Sequence, residues 1–119
     1  MKSDQRPWGA WYVLDEGPGY KVKRIEVSPG QRLSYQVHQH RAEHWTVVRG
    51  TATCTLDGET VVVATGGSLE VPLGMPHRIA NRHRDDLVII EVQRGDYTGE
   101  DDIVRLEDDY GRDAGSVAR

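Results

Sequence analysis

The amino-acid sequence predicts a single all-β domain, an antiparallel sandwich or barrel of the jelly-roll type. Apolar residues recur with a period of two or in short runs, which is typical of β-strands. Gly, Pro, Asn and Asp interrupt these runs about every eight to twelve residues, as turns between short strands do. The sequence shows no long helical pattern, no internal repeat and no low-complexity linker.

Eight strands are predicted between residues 20 and 93. In chain order they are YKVKRIEV (20–27), RLSYQVHQH (32–40), HWTVVRG (44–50), TATCTL (51–56), TVVVA (60–64), SLEV (68–71), RIAN (78–81) and DLVIIEVQ (86–93). The turns between them are SPGQ, LDGE, TGG, PLGMP and NRHRDD. We expect the amino-terminal residues to form an arm and the acidic segment from residue 100 to form one helical turn or a surface arm. The domain is predicted to span residues 1–112, with residues 113–119 as a frayed tail.

Length and charge limit the possible functions. A chain of 119 residues and 13.4 kDa is long enough for one hydrophobic core. A net charge of -4 and a pI near 5.7 argue against a nucleic-acid or anionic-membrane surface. The expected partner is a small molecule or a second copy of the chain. We predict a homodimer in which Trp8, Trp11 and Tyr12 of the amino-terminal arm help to cover the partner.

Composition also predicts a cytoplasmic location. No apolar run approaches the roughly 20 residues of a spanning helix, and the amino terminus lacks the layout of a signal peptide. Cys54 is the only cysteine, so an intramolecular disulfide is impossible and a reducing compartment is expected.

Potential metal donors are concentrated in the segment QVHQHRAEH, residues 36–44. If this segment is a regular strand, Gln36, His38 and His40 share one face, because side chains alternate across a strand. Two ligand registers follow. The first takes Gln36 and His38 and then Glu43, and the second takes His38 and His40 and then Glu43 or His44.

The flanking glycines favour the first register, since turns fix which residues meet across a hairpin. From Gly30 to Gly50 the sequence reads G-x5-Q-x-H-x4-E-x6-G, and from Gly66 to Asn81 it reads G-x5-P-x-G-x2-H-x3-N, with His77 as the histidine. These spacings resemble the paired motifs of the cupin superfamily, G-x5-HxH-x3,4-E-x6-G and G-x5-PxG-x2-H-x3-N. The one missing residue is the first histidine, where Gln36 stands.

Within that superfamily the chain resembles the type II phosphomannose isomerases, the cupin half of bifunctional mannose-1-phosphate guanylyltransferase/phosphomannose isomerases. The likeness rests on RPWG, GYKVKRIEVSPG, QVHQHRAEHW and EVQRGDYTGEDDIVRLEDDYGR, and it covers about residues 6 to 112. Gln39 departs from the family, which usually has a longer histidine run there. No Gly-rich nucleotide-binding loop followed by a helical pattern occurs in these 119 residues, so we do not expect them to carry guanylyltransferase activity.

The resemblance implies a cupin barrel, also called a double-stranded β-helix, that holds one divalent metal ion through Gln36, His38, Glu43 and His77. This donor set suits zinc, our first expectation, and also manganese, iron, cobalt or nickel. One anionic ligand and open coordination positions are typical of a catalytic site rather than a structural one.

The implied reaction is the interconversion of mannose 6-phosphate and fructose 6-phosphate through an enediolate. Arg41, in the predicted turn between His38 and Glu43, is the first candidate for binding the substrate phosphate, and Lys23 is the second. Of Lys21 and Lys23, one is expected to be exposed. His40 and Glu91 are the candidate catalytic bases. His44 is expected to be structural, and Asn81 to cap the turn before residue 86.

The sequence is consistent with two other functions. His38, Glu43 and His77 alone form a two-histidine, one-carboxylate set like that of non-haem iron oxygenases. A non-catalytic sugar-binding cupin is also consistent with the sequence, because a fold does not dictate a function.

Overall fold

A computed structural model describes residues 2–112, and within this range strands are the only regular secondary structure. The predicted frayed tail, residues 113–119, lies outside the described residues. The strands are β1 (Ser3–Arg6), β2 (Gly9–Gly17), β3 (Tyr20–Val27), β4 (Tyr35–Val37), β5 (Arg41–Arg49), β6 (Ala52–Leu56), β7 (Glu59–Val63), β8 (Ser68–Val71), β9 (His77–Ala80), β10 (Leu87–Gly95) and β11 (Val104–Glu107). No helix long and apolar enough to cross a membrane occurs in this part of the chain.

The strands form two antiparallel sheets. The six-stranded sheet has the order β1-β2-β3-β10-β5-β8, and the five-stranded sheet has the order β11-β4-β9-β6-β7. The chain passes repeatedly from one sheet to the other, so that β3, β4 and β5 lie in the first, second and first sheet in turn. This exchange of strands between two sheets is the jelly-roll arrangement. The predicted all-β fold class is confirmed.

The inner face of the six-stranded sheet is apolar at one end and polar at the other. At the apolar end, Ile89 of β10 lies between Ile25 of β3 and Val47 of β5, and all three are buried. At the polar end, Gln93 lies between Lys21 and Glu43, which are also buried. The period-two alternation therefore places charged groups inside the barrel, where the predicted metal ligands lie.

The hairpin between β6 and β7 shows how accurately local turn chemistry was predicted. Asp57 and Gly58 have φ angles of 47° and 83° and form the two-residue loop between paired Leu56 and Glu59. Positive φ at both central residues is the requirement of a type I′ hairpin turn, for which Asp-Gly is a favoured sequence. The predicted LDGE turn is confirmed.

The predicted strand at residues 32–40 is shorter than expected. Only Tyr35–Val37 form β4, because the backbone of the following residues bonds to loops instead of a neighbouring strand. The His38 carbonyl accepts from Gly74 N–H, and the N–H groups of Gln39 and His40 donate to the Asp102 carboxylate. His40 consequently does not continue the face shared by Gln36 and His38. Arg41, expected in a turn, is the first residue of β5.

The amino-terminal segment is part of the barrel rather than an arm. Its strands β1 and β2 form a hairpin that extends the six-stranded sheet, and Trp8 and Trp11 lie in the hydrophobic core. A β-bulge between Val13 and Asp15 shifts the alternation of β2, which obscures the strand in the sequence. The two tryptophans that suggested cover for a partner are buried by their own chain.

The acidic segment from residue 100 forms a strand where a helical turn or surface arm was expected. Val104–Glu107 are β11, which pairs with β4 at the edge of the five-stranded sheet. Arg105 lies opposite Gln36, and Gln36 in turn lies opposite His77 of β9. The segment thereby becomes a neighbour of the predicted metal ligands.

Candidate metal centre

Three of the four predicted metal ligands converge at the polar end of the barrel. His38 follows β4, Glu43 lies on β5, and His77 begins β9. Their ligand atoms lie within 4.8 Å of one another, and all three side chains are buried. Glu43 lies between the two rings, with its Oε2 3.2 Å from His38 Nε2 and its Oε1 3.7 Å from His77 Nε2.

Hydrogen bonds fix the orientation of both imidazole rings. His38 Nδ1 lies 2.6 Å from the Asp102 carbonyl oxygen, and His77 Nδ1 lies 2.9 Å from the Met75 carbonyl oxygen. Because a carbonyl oxygen only accepts, each Nδ1 carries the proton and each Nε2 presents its lone pair toward Glu43. This arrangement is usual for histidines that bind metals.

The cluster fits a cation. His77 Nε2 is buried and has no hydrogen-bond partner within the described residues, so its lone pair is unsatisfied without a ligand. The pKa of His38 is lowered to about 4, chiefly by burial and further by electrostatic interactions with Arg41 and His77, against the opposing effect of Glu43. His38 is therefore neutral at pH 7, which metal coordination requires.

Glu43 remains ionised although it is fully enclosed. Burial alone would raise its pKa, but electrostatic interactions with His77, His38 and Arg41 and a hydrogen bond from Trp45 lower it to about 2. Arg41 Nε donates to Oε2 and Trp45 Nε1 donates to Oε1, each at 2.9 Å. The carboxylate is thus charged and oriented before any metal binds.

Gln36, the fourth predicted ligand, lies on β4 opposite His77 and lines the cavity that His38 also lines. Its Oε1 accepts a hydrogen bond of 3.0 Å from Ser34 Oγ. The structure therefore places Gln36 beside the cluster, and its role as a ligand stays a prediction.

Arg41 and Lys23 both line this cavity, as the sequence predicted for substrate-binding groups, but each is engaged within the chain. Arg41 bonds Glu43, the Gly99 carbonyl oxygen at 3.3 Å and His38 Nε2 at 3.2 Å. Lys23 Nζ lies 2.8 Å from Glu100 Oε1 and 4.1 Å from the centroid of the Trp11 ring.

Both Lys21 and Lys23 are buried, which corrects the expectation that one of them is exposed. They share Glu100, whose Oε2 accepts from Lys21 Nζ at 3.1 Å. Burial opposes ionisation of Glu100, but Lys23 and Lys21 outweigh it and lower the pKa of this carboxyl. Glu100 therefore compensates two buried positive charges at the cavity.

Of the two candidate bases, the structure brings only Glu91 to the cavity. Glu91 is buried and accepts a hydrogen bond of 2.5 Å from Gln93 Nε2. Burial, and then the charge of Glu43, raise its pKa to about 7, against the opposing effects of Lys23, Arg41 and Gln93. A carboxyl with this pKa can both accept and release a proton near neutral pH.

His40 lies elsewhere, on the exposed surface. Its Nδ1 is 3.5 Å from Asp96, and its ring meets Tyr97 edge-on at 6.0 Å. It lines a separate depression with Gln39 and Asp102. This placement follows from the early end of β4 and does not favour His40 as the base.

His44 and Asn81, which were predicted to have structural roles, lie outside the cluster of His38, Glu43 and His77. His44 lies on the outer face and pairs with Glu70 at 2.7 Å. Asn81 Nδ2 donates to the carbonyl oxygens of Val27 and Asp85, and its Oδ1 accepts from His83 N–H, so Asn81 holds the turn.

Sequence reasoning missed Glu100, Asp102 and Gln93. Gln93 had a signal, because it lies two positions after Glu91 on a predicted strand and therefore on the same face. Glu100 and Asp102 lie in a loop without periodicity, where nothing distinguishes them from solvated acidic residues.

The two sheets with a buried His-Glu-His cluster between them define a cupin, and solved structures agree on the fold. The cupin domain of Schizosaccharomyces pombe Cnp3 matches with a TM-score of 0.69 at 18% identity, covering 73% of this chain and 64% of that one. The S161A mutant of Bacillus subtilis oxalate decarboxylase OxdC matches with a TM-score of 0.76 at 22% identity, covering 89% and 30%.

The chain belongs to the family described as "Mannose-6-phosphate isomerase C-terminal", which matches residues 2–108. Among curated relatives, the xanthan biosynthesis protein XanB of Xanthomonas campestris pv. campestris (strain B100) is 53% identical over 107 residues. The alginate biosynthesis protein AlgA of Pseudomonas aeruginosa is 53% identical over 109 residues, and the mannose-1-phosphate guanylyltransferase ManC of Salmonella typhimurium is 50% identical over 107.

These alignments cover 90–92% of this chain but only 22–23% of each relative. The chain thus spans less than a quarter of the length of the relatives it matches. The predicted resemblance to the cupin domain of the phosphomannose isomerases is confirmed.

Proposed function

We propose that this domain is a metal-dependent isomerase that interconverts mannose 6-phosphate and fructose 6-phosphate. The family supports the reaction class and the substrate. The observation that carries the proposal is the cavity itself, in which the buried Glu91 carboxyl, with a pKa of about 7, faces the space that His38 also lines. A proton-transferring group and a metal-binding cluster are the two parts that a metal-assisted aldose–ketose isomerisation requires.

The reaction moves the C2 proton of the open-chain aldose to C1 and the O2 hydroxyl proton to O1. A divalent metal held by His38, Glu43 and His77, with Gln36 as predicted fourth donor, would supply Lewis-acid stabilisation of negative charge on the substrate oxygens. Ionised Glu91 takes the C2 proton and returns it to C1. Gln93 Nε2 orients the Glu91 carboxyl, and Arg41 orients Glu43.

A coupled assay for fructose 6-phosphate tests this function, with metal removed by chelation and then restored. We expect turnover of mannose 6-phosphate by the metal-loaded protein and none without metal. Glu91→Gln removes the proposed base and should lose most of the turnover. Glu70→Gln, which neutralises a surface carboxyl, is its matched control. The absence of turnover in folded, fully metallated protein across several hexose phosphates would contradict the proposal.

Metal binding by the cluster has its own matched pair of variants. His77→Ala removes an oriented donor, so bound metal should fall to a small fraction of the wild-type amount. His44→Ala removes a surface histidine with the same change in side-chain volume, and bound metal should not change. Elemental analysis after dialysis measures both, and equal metal content in His77→Ala and wild type would refute the ligand assignment. The same analysis tests zinc against manganese, iron, cobalt and nickel.

An Fe(II)-dependent oxygenase is the second candidate function. It is favoured by the buried set of two histidines and one carboxylate, which also suits non-haem iron. An isomerase works without dioxygen, whereas an oxygenase consumes it. Oxygen uptake with Fe(II) and no anaerobic isomerisation would favour this alternative, and ligand-induced stabilisation without turnover would favour a sugar-binding domain.

We also infer a homodimer and a cytoplasmic location. The exposed edge strand β7 supports assembly, since Val62 on it is 64% exposed. A monomer by light scattering at tens of micromolar would contradict the dimer. The cytoplasmic location rests on the single cysteine, Cys54, which is buried in the core, and fractionation of cells tests it.

A further inference from the structure

The cavity beside the metal centre is lined by more positive charge than the proposed proton transfer uses. Besides Lys23 and Arg41, it is lined by Arg6 at the end of β1, by Arg105 of β11 and by Arg112. The acidic residues on its wall are Glu91 and Glu100. Glu100 forms its ion pairs with Lys21 and Lys23, and within residues 2–112 it forms none with Arg6, Arg105 or Arg112.

Arg105 is the uncommitted cation in this group. Arg41 is engaged by Glu43, and Arg112 is engaged by Asp108 at 2.8 Å. Arg6 has a partly exposed partner, Asp4, at 3.4 Å. By contrast, the Arg105 side chain forms no ion pair within residues 2–112, and its Nε is buried without a hydrogen-bond partner. A buried N–H donor left unpaired costs free energy that a ligand acceptor would recover.

The surroundings of Arg105 favour an anion. Burial lowers the pKa of its guanidinium, and the charges of Arg112 and Arg6 lower it further, while Asp108 acts in the opposite direction. Repulsion among like charges at one wall of a cavity is relieved when an anion binds between them. The planar fork of arginine matches the oxygens of a phosphate in particular.

Arg105 is also at a useful separation from the reacting groups. Its backbone pairs with Gln36, and Gln36 pairs with His77, so β11 lies two strand spacings, about 10 Å, from the strand that bears a metal ligand. Side chains directly opposite each other on paired strands lie on the same face, and both Arg105 and Gln36 line the cavity. In mannose 6-phosphate the phosphate and the reacting carbons C1 and C2 are at opposite ends of the molecule.

We propose that Arg105, with Arg6 beside it, forms the subsite for the substrate phosphate, in place of the predicted Arg41. This subsite rests on the proposed function for its ligand, a sugar phosphate. Arg41 keeps its position against Glu43, and the carboxy-terminal strand β11 becomes part of the binding site.

Two measurements on metal-loaded protein test the subsite. Calorimetric titration with inorganic phosphate gives the dissociation constant, and the fructose 6-phosphate assay gives KM and kcat. Arg105→Met and Arg6→Met are the test variants. Arg84→Met is the control, because it removes the same charge from an exposed turn residue that does not line the cavity. Arg105→Lys keeps the charge but not the fork.

We expect Arg105→Met to weaken phosphate binding about tenfold or more, the loss typical of one charge-assisted hydrogen bond, and to raise KM by a similar factor with little change in kcat. Arg105→Lys should recover part of the affinity, and Arg84→Met should match wild type. Phosphate binding that is absent in wild type, or equal in wild type and Arg105→Met, would overturn the subsite.

The two proposals fail separately. If wild type shows no turnover but binds phosphate through Arg105, the subsite holds and the isomerase proposal fails. If mannose 6-phosphate is turned over with an unchanged KM in Arg105→Met, the isomerase proposal holds and the subsite is wrong.

Discussion

The two ends of the sheet formed by β3, β10 and β5 differ in chemistry although they share strands, alternation and burial. The layer formed by Ile25, Ile89 and Val47 is apolar. Two residues further along the strands, the next inward-facing layer consists of Lys23, Glu91 and Trp45 and contains two ionisable groups. Glu91 is 4% exposed, hardly more than Ile89 at 0%. Burying charge is costly unless it is compensated, whereas burying an isoleucine is favourable. The apolar layer thus accounts for stability, and the polar layers require a functional explanation.

The sharpest test of this comparison is Glu91→Gln. The variant keeps the side-chain shape and the neighbour Gln93 but removes the proton acceptor, so kcat should fall about 100- to 10,000-fold. Stability should be unchanged or higher, because a group with a raised pKa is removed. The coupled assay and thermal unfolding measure the two effects. If Glu91→Gln is less stable than wild type but its folded molecules keep the wild-type kcat, Glu91 has a structural and not a functional role.

One layer away, Ile89→Ala should show the opposite behaviour. Ile89 is fully buried between Ile25 and Val47, so truncation leaves a cavity and should lower the free energy of unfolding by about 2–5 kcal/mol. Per folded molecule, kcat should change little. Urea unfolding measures the free energy of unfolding. The coupled assay, normalised by titrating the metal-binding sites, measures kcat per folded molecule. An unchanged unfolding free energy would contradict the assignment of Ile89 to the stabilising apolar layer.

Much of this architecture could be predicted from the sequence because it depends on local patterns. Strands β3 and β8 have the predicted bounds, and the glycine-bracketed spacing singled out His38, Glu43 and His77, which cluster in the structure. The position of His40 could not be predicted in the same way. It depends on the hydrogen bond from its N–H to Asp102, which is 62 residues away in the sequence.

The dependence on contacts that are distant in sequence also limited the prediction of the phosphate-binding residue. Arg41 was chosen for its closeness in sequence to the ligands, and the contacts of its guanidinium with Glu43 and Gly99 could not be known. Arg105 lies in a segment whose pairing with β4 has no local signal, because the register shifts between Arg105 and Glu107.

Glu91 also predicts a distinct pH dependence of stability in metal-free protein. Its pKa is about 7 in the folded chain against an ordinary 4.5, so between these values the folded state holds a proton that the unfolded state has released. The stability that this group contributes is therefore complete below about pH 4.5, falls as pH rises, and is lost above about pH 7. The total fall in the free energy of unfolding is a few kcal/mol at most. Glu91→Gln should lack this fall, so the difference in unfolding free energy between variant and wild type should grow across the window. A constant difference from pH 4.5 to 7 would show that the carboxyl is not perturbed.

The smallest expected effect concerns Trp45, which joins the two regions. Its ring is buried in the core and meets His77 edge-on with centroids 5.5 Å apart, while its Nε1 donates to Glu43 Oε1 at 2.9 Å. Trp45→Phe retains an aromatic ring in the core but removes the hydrogen bond that orients the carboxylate of Glu43, the proposed metal ligand. Metal affinity should fall about tenfold, the lower end for loss of a group that orients a metal ligand. Competition with a chelator of known affinity measures the change, and Trp8→Phe, which alters a core tryptophan outside the cluster, is the control. If both variants lose stability equally and neither loses metal affinity, Trp45 contributes only to the apolar region. The change from the apolar to the polar region then falls between Trp45 and Glu43 on β5.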